Sequence, residues 1–154
     1  MKDRDRGVDM SNVFTVAKYI LQQKGNMSSM KLQKLCYYAQ AWSLVWDDAP
    51  LFDEDFQAWR NGPVCYELYN LHRGQFSVHA SDIPECRLAG PLTEEQKDTI
   101  EKVLEYYGDK DAQWLSRLTH MEDPWKQARQ GVPDGAVCQN IVTKESMSEY
   151  YGSL

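Results

Sequence analysis

Apolar residues recur at helical spacing along much of the chain and predict a mainly α-helical fold. The first such stripe follows Ser11, which we interpret as the residue that caps a helix, and Gly25-Asn26 then ends it. Its apolar positions follow the i, i+3, i+4, i+7 pattern and are Val13, Val16, Ala17, Ile20 and Leu21. The pattern therefore predicts one amphipathic helix near the start of the chain.

A second helix, from Ser28 or Ser29 to about Trp46, is apolar on two faces. A helix with two apolar faces is normally surrounded by other elements, so this segment should be the most buried of the fold. Gln33, Tyr37 and Gln40 share the remaining strip of its surface. That strip carries hydrogen-bonding groups and one aromatic ring, and it is a candidate for contact with another molecule.

A short extended segment and a sharp corner follow the second helix. Alternation over Phe56–Arg60 predicts a strand, and Asn61-Gly62-Pro63 predicts a tight turn. Gly62 should need a backbone conformation that residues with a Cβ avoid. Pro63 fits the first position of a helix from Val64 to about His72, because its fixed φ suits that position. A second short strand is possible in the pattern of Phe76–His79.

The last third of the chain predicts four more helices. Thr93 and Gln96 form a capping box at the start of one that Gly108 ends. Another covers Lys110 to about His120, a short one begins with Asp123 as N-cap and Pro124 at its first position, and Thr143 caps the last. The chain is thus predicted to be one mainly α domain over residues 11–151. It should have about six or seven helices, a small β element at most near residues 56–60, and a loose tail over residues 1–10.

Composition narrows the function classes. A net charge of −6 disfavours binding to a phosphate backbone, so we expect no nucleic-acid partner. The N-terminal segment has no apolar core of a signal peptide and no apolar run is long enough for a membrane span, so we expect a cytoplasmic protein without a membrane partner. The spacing of the four cysteines lacks the usual zinc signature, so no metal and no cofactor are predicted; these cysteines are Cys36, Cys65, Cys86 and Cys138.

Candidate catalytic groups are few. Cys65 and His72 are close in sequence, but seven residues along a helix would separate them by about 10 Å, beyond the reach of proton transfer. The three adjacent carboxylates of residues 53–55 fit a solvated turn better than an acid–base pair. No catalytic residue is therefore predicted, and an enzyme with a thiol or carboxylate site stays the alternative from a different class.

Several segments, taken in order, carry a specific resemblance. They are KLQKLCYYAQAW at residues 31–42, PLF at 50–52, FQAW at 56–59, GPV at 62–64, and LTH at 118–120 followed by PW at 124–125. Together they resemble the Panacea domain of SocA-like, phage-associated antitoxins over roughly residues 11–151. Two positions depart from that pattern: Asn61 replaces a common aromatic residue, and Cys36 replaces a leucine.

The resemblance implies an antitoxin of a bacterial or prophage toxin–antitoxin pair. Such a protein would neutralise a toxin encoded by an adjacent gene through direct binding; the alternative is an adaptor that delivers the toxin to a protease. Tyr37 or Trp59 would then be an exposed aromatic anchor. The candidate partner-binding residues are Gln33, Tyr37, Gln40, Trp59 and Asn61. The candidate structural-motif residues are Leu35, Trp42, Gly62, Pro63, Val64, His120, Pro124 and Trp125.

Overall fold

Seven α-helices dominate residues 11–154, the part of the chain that the computed structural model describes. The predicted loose tail, residues 1–10, lies outside the described residues. The helices are α1 (Val13–Lys24), α2 (Ser29–Trp46), α3 (Tyr66–His72), α4 (Glu94–Tyr107), α5 (Ala112–Met121), α6 (Asp123–Ala128) and α7 (Lys144–Gly152). The prediction of a mainly α fold with six or seven helices is confirmed within this range.

Helix α2 is the centre of the fold. It packs against α1, α4, α5 and α7 and contains more buried residues than any other helix of the described chain. Leu35 is fully buried, while Trp42 lies half-buried near its end and donates its indole N–H to the Tyr107 hydroxyl at 3.0 Å. The two apolar faces seen in the sequence are thus covered along most of the helix, as predicted, while Trp46 at its end is 48% exposed.

Two small antiparallel sheets complete the described structure. Strands β1 (Met27–Ser28) and β4 (Ser77–Val78) form one pair. Strands β2 (Phe56–Trp59), β3 (Gly62–Cys65) and β5 (Ile141–Val142) form the other sheet, in the order β3-β2-β5. The predicted strand at residue 56 and the short strand near residue 77 are present, whereas β1, β3 and β5 were not predicted.

Pro63 lies in a strand and does not begin a helix, so that prediction is wrong. It stands opposite Ala58 in the β2–β3 hairpin, and α3 starts three residues later at Tyr66. β3 is an edge strand, where a residue without an N–H loses no ladder hydrogen bond. Proline can therefore occupy this edge strand for the same reason that it can begin a helix: neither position needs its backbone N–H.

Two of the predicted helix N-caps are present, and two others are displaced by one residue. Thr93 with Gln96, and Thr143, cap α4 and α7 as predicted. At α1 the cap is Asn12, whose side chain accepts from the Thr15 N–H, because the Ser11 hydroxyl instead donates to the Leu51 carbonyl at 2.7 Å. At α6 the helix includes Asp123 and follows Glu122, so both of those predicted N-caps are wrong by one residue.

Candidate functional site

The hairpin between β2 and β3 brings a Trp, an Arg and an Asn to the surface. We call Trp59, Arg60, Asn61 and Gly62 the hairpin tip. Trp59 is half-buried, Arg60 and Asn61 are exposed, and Gly62 is buried beneath them with a φ of +117°. The predicted special conformation of Gly62 is therefore confirmed.

The absence of a side chain at Gly62 matters for packing as well as for backbone conformation. A Cβ at this position would lie 2.5 Å from Cε of Lys34 and 2.9 Å from Oγ1 of Thr119. Both distances are shorter than van der Waals contact allows. The tip is therefore seated directly on side chains of α2 and α5.

Helices α5 and α6 hold the hairpin through its backbone carbonyls. The Trp125 indole N–H donates to the Trp59 carbonyl at 2.7 Å, and the buried Arg129 guanidinium donates to the Ala58 carbonyl at 2.8 Å. The Ser116 hydroxyl donates to the Asn61 carbonyl at 2.5 Å. These bonds fix the backbone of the tip without using its side chains, of which Trp59 donates its indole N–H to Oε1 of Gln57 at 2.7 Å.

We call Ser116, Trp125 and Arg129, whose side chains bond to the hairpin backbone, the clamp. Two predicted motif residues support it. His120 stacks on Trp125, with ring centroids 4.1 Å apart, and Pro124 is buried at the first turn of α6. Pro63 and Val64 are buried in β3 behind the tip. The structural-motif positions near the hairpin thus surround one element.

Gln33 joins α2 to the far end of the hairpin. Its Oε1 accepts from the Cys65 N–H at 2.8 Å, and its Nε2 donates to the Cys65 carbonyl at 3.2 Å. The same Nε2 lies 3.0 Å from Nε2 of His72. Because an amide nitrogen can only donate, His72 must accept at Nε2 and carry its proton on Nδ1. The neutral ring is thus part of the contact between α2, β3 and α3.

Protonation of His72 should destabilise the protein. Burial lowers the pKa of His72 below 6.5, and the nearby Lys34 lowers it further. The unfolded chain therefore binds more protons, so the stabilisation is complete above pH 6.5 and is lost as the pH falls through the folded-state pKa. We expect the free energy of unfolding to decrease over that interval, measured by urea denaturation. In His72→Leu the decrease should be smaller, and an equal pH dependence in the two proteins would contradict this assignment.

Three of the five predicted partner-binding residues are not on the surface. Gln33 and Tyr37 have no exposed area and Gln40 has almost none, so the prediction of Tyr37 as an exposed anchor is wrong. Gln40 donates to the Phe52 carbonyl at 2.8 Å and accepts from the Leu51 N–H at 2.7 Å. Tyr37 packs between other rings and lies 3.1 Å from the Tyr151 hydroxyl. Their polar atoms serve the interior.

The other two predicted residues, Trp59 and Asn61, are accessible and belong to the same hairpin tip. The Trp59 ring adjoins an aromatic surface. Its centroid lies 4.9 Å from that of the Tyr69 ring, and the Tyr69 ring stacks on Tyr66 with centroids 6.3 Å apart. Tyr66 is 42% exposed. A row of three aromatic rings therefore adjoins the tip, and we call Trp59, Tyr66 and Tyr69 the aromatic row.

A cleft lies on each side of the tip. One, of about 330 Å³, is lined by Trp59 and Arg60 and, across from them, by residues 137–139. The other, of about 280 Å³, lies between Asn61 and helices α2 and α5; its lining residues are Met30, Lys34, Asn61, Ala112, Gln113 and Ser116. We call the second one the Lys34 cleft. The tip thus forms a ridge between two depressions, a shape suited to a protein partner.

The thiol of Cys65 is not arranged as a nucleophile. Burial raises its pKa to about 12, and its Sγ donates to a carboxylate oxygen of Glu67 at 3.5 Å. The Nε2 of His72 accepts from Gln33 and is therefore not available to this thiol as a base. Within residues 11–154 no three His, Cys, Asp or Glu side chains cluster as a metal site would need.

Sequence reasoning did not single out Lys34, Ser116, Thr119 or Arg129 as parts of this site. Lys34 and Thr119 stand inside the motif segments, so their place in the motif was the available signal. Ser116 and Arg129 reach the hairpin only through its backbone carbonyls, and Arg129 also donates to the carbonyls of Pro133 and Ala136; no local pattern indicates such contacts. Both were therefore beyond prediction from residue type.

Comparison with known families adds one finding. A family model described as "Antitoxin SocA-like, Panacea domain" matches residues 32–126, which run from α2 into α6 and include the whole hairpin together with Ser116 and Trp125, but not Arg129. The comparisons with curated proteins and with solved structures find no match. Among the described helices, none is long and apolar enough to cross a lipid bilayer.

Proposed function

The chain belongs to the SocA-like antitoxin family of the Panacea domain, and we propose that it neutralises a partner toxin by binding it directly. The proposed partner is a protein encoded by an adjacent gene. The proposed contact surface is the hairpin tip with the aromatic row. Neutralisation would then depend on occupancy of the toxin, with no chemical change in it.

One observation carries this proposal: residues from most of the family motifs converge on a single surface hairpin. Gln33 fixes its far end, Thr119 lies beneath Gly62, and Trp125 bonds to the Trp59 carbonyl. A rigid backbone lowers the entropy that is lost on binding, and aromatic side chains with Arg dominate the energy of protein interfaces. The clamp supplies the first property, and Trp59, Arg60 and Tyr66 supply the second.

The affinity that neutralisation needs sets the size of the surface. A nanomolar complex corresponds to about −12 kcal/mol, and interfaces of this class usually bury about 1,600 Å² in total. The tip and the aromatic row form one side of that area, and the two clefts extend it. The hairpin would lie near the centre of the interface.

Titration of the toxin with the purified protein tests the proposal. We expect a stable complex after co-expression with the neighbouring gene product, and inhibition that saturates at a fixed stoichiometric ratio. Sub-stoichiometric, irreversible inactivation without a recovered complex would show enzymatic action and would overturn the proposal. The half-life of the toxin in cells separates simple occupancy from delivery to a protease, since only delivery shortens it.

A further inference from the structure

We propose that the Lys34 cleft binds a carboxylate side chain of the toxin, with the Lys34 ammonium as its ion-pair partner. This inference rests on the proposed function and names one contact of the complex. The contact lies directly beside Asn61, at the edge of the hairpin tip.

The first argument is that Lys34 has no partner within the described chain. Its side chain has no exposed area, and its Nζ makes no hydrogen bond with any residue of the described range. Buried ammonium groups in proteins are almost always paired, because an uncompensated charge loses its hydration. Lys34 must therefore either be neutral or pair with a negative charge that another molecule supplies.

The second argument is the shape and chemistry of the space beside it. Lys34 lines a cleft of about 280 Å³ whose rim carries the amides of Asn61 and Gln113 and the hydroxyl of Ser116. The two amides can donate hydrogen bonds to a carboxylate without adding charge, whereas the Ser116 hydroxyl already donates to the Asn61 carbonyl. Asn61 and Gln113 are exposed, and the proposed contact requires them to move aside, because the Lys34 side chain itself has no exposed area. A single ammonium with neutral donors matches a singly charged acid.

The pKa values of Lys34 and its neighbours in the free protein favour the binding of a carboxylate beside Lys34. Burial lowers the pKa of Lys34 to about 7. Burial lowers the pKa values of His72 on α3 and His120 on α5 below 6.5, and the charge of the nearby Lys34 lowers both further. The Cys65 thiol, on β3, has its pKa raised to about 12. None of these groups supplies a negative charge near neutral pH, so an incoming carboxylate would meet no competing acid from them.

Binding should therefore take up a proton above neutral pH. A carboxylate against Lys34 stabilises the ammonium form and raises its pKa in the complex, so the affinity falls when the free amine is neutral. One linked proton gives at most a tenfold loss of affinity per pH unit. His72 and His120 are neutral in this range, because their pKa values are below 6.5. Among Lys34, His72, His120 and Cys65, Lys34 is thus the group that titrates there.

Titration calorimetry of the product of the neighbouring gene against Lys34→Met tests the contact. We expect wild type to lose about tenfold in affinity between pH 7.5 and 8.5 and to take up about one proton, seen by comparing buffers of different ionisation heat. Lys34→Met should bind about tenfold more weakly at pH 6.5 and lack this pH dependence. Its melting temperature should be unchanged or higher, because methionine keeps the apolar stem without a buried amine. Lys102→Met, at an exposed position of α4, is the matched control and should bind like wild type.

The outcomes separate this inference from the function on which it rests. A folded Lys34→Met with wild-type affinity and wild-type pH dependence would overturn the carboxylate contact and leave the antitoxin proposal standing. Failure of the wild-type protein to bind the toxin would overturn the antitoxin proposal itself. Alanine replacement of each acidic toxin residue should identify one whose effect disappears in Lys34→Met. If every acidic residue keeps its full effect in that background, the ligand is not a carboxylate.

Discussion

Gly62→Ala is expected to lower the free energy of unfolding by about 3 kcal/mol. A φ of +117° is unfavourable for any residue with a Cβ, and such strain costs about 1–3 kcal/mol. The new methyl group would also lie 2.5 Å from Cε of Lys34 and 2.9 Å from Oγ1 of Thr119, and overpacking of this kind costs about 1–3 kcal/mol. For a chain of this size the loss corresponds to a decrease in melting temperature of about 6–12 °C.

Gly74→Ala is the matched control for the backbone contribution. Gly74 also has a positive φ, +84°, but a Cβ there meets no atom within 4 Å. Its replacement should therefore cost only the conformational part, about 1 kcal/mol. Equal melting temperatures for the two variants would mean that the close approach of Lys34 and Thr119 to Gly62 has no energetic consequence.

A double-mutant cycle separates the clash from the strain. In the Lys34→Ala background the Cε that meets the new methyl group is absent, so Gly62→Ala should cost less than it does in wild type. The difference measures the steric part of the effect. Additive costs would mean that the contact with Lys34 contributes nothing, and would leave the backbone conformation and the contact with Oγ1 of Thr119 as the causes.

Local chemistry accounts for the parts of the fold that the sequence predicted well. Capping by Thr93 and Thr143 depends on residues three positions apart, so the signal and the structure lie within one turn of helix. The central position of α2 follows from its own two apolar faces. In each case the interacting groups are neighbours in the chain.

Non-local pairing accounts for the misses. β5 joins the sheet through Val142, which pairs with Phe56 far away in the sequence, and two residues of strand carry almost no signal of their own. Pro63 lies in an edge strand, although the local sequence favoured the start of a helix there. Competition between a local preference and a distant partner cannot be decided from one sequence.

The polar strip of α2 was misjudged for a related reason. Gln33 and Gln40 look like surface residues by type, yet each amide satisfies backbone groups of a segment that packs against α2. A helix with two apolar faces leaves little room for a solvated third face, and this was the signal that favoured burial. Buried glutamines of this kind are expected where irregular backbone packs against a helix, since its N–H and C=O groups need partners.

Trp59→Ala is expected to weaken toxin binding by about 100-fold, roughly 3 kcal/mol, which is in the range found for central aromatic anchors. Trp59 stands at the end of the aromatic row and beside a cleft of about 330 Å³, so its ring can fill or border a pocket of the complex. Its backbone carbonyl, which accepts from Trp125, is unchanged by the substitution. The hairpin should therefore remain in place while its largest accessible side chain is lost.

The control for this experiment is an exposed aromatic residue elsewhere on the surface. Tyr106 on α4 is 64% exposed and belongs to neither the hairpin tip nor the aromatic row, so Tyr106→Ala should bind the toxin like wild type. Trp59→Phe should recover most of the affinity, because a smaller ring still buries apolar area. Affinities come from titration calorimetry and folding from the melting temperature of each variant. If Trp59→Ala is folded and binds like wild type while Tyr106→Ala does not, the toxin contacts α4, because the energy of such interfaces is concentrated where their buried aromatic residues lie.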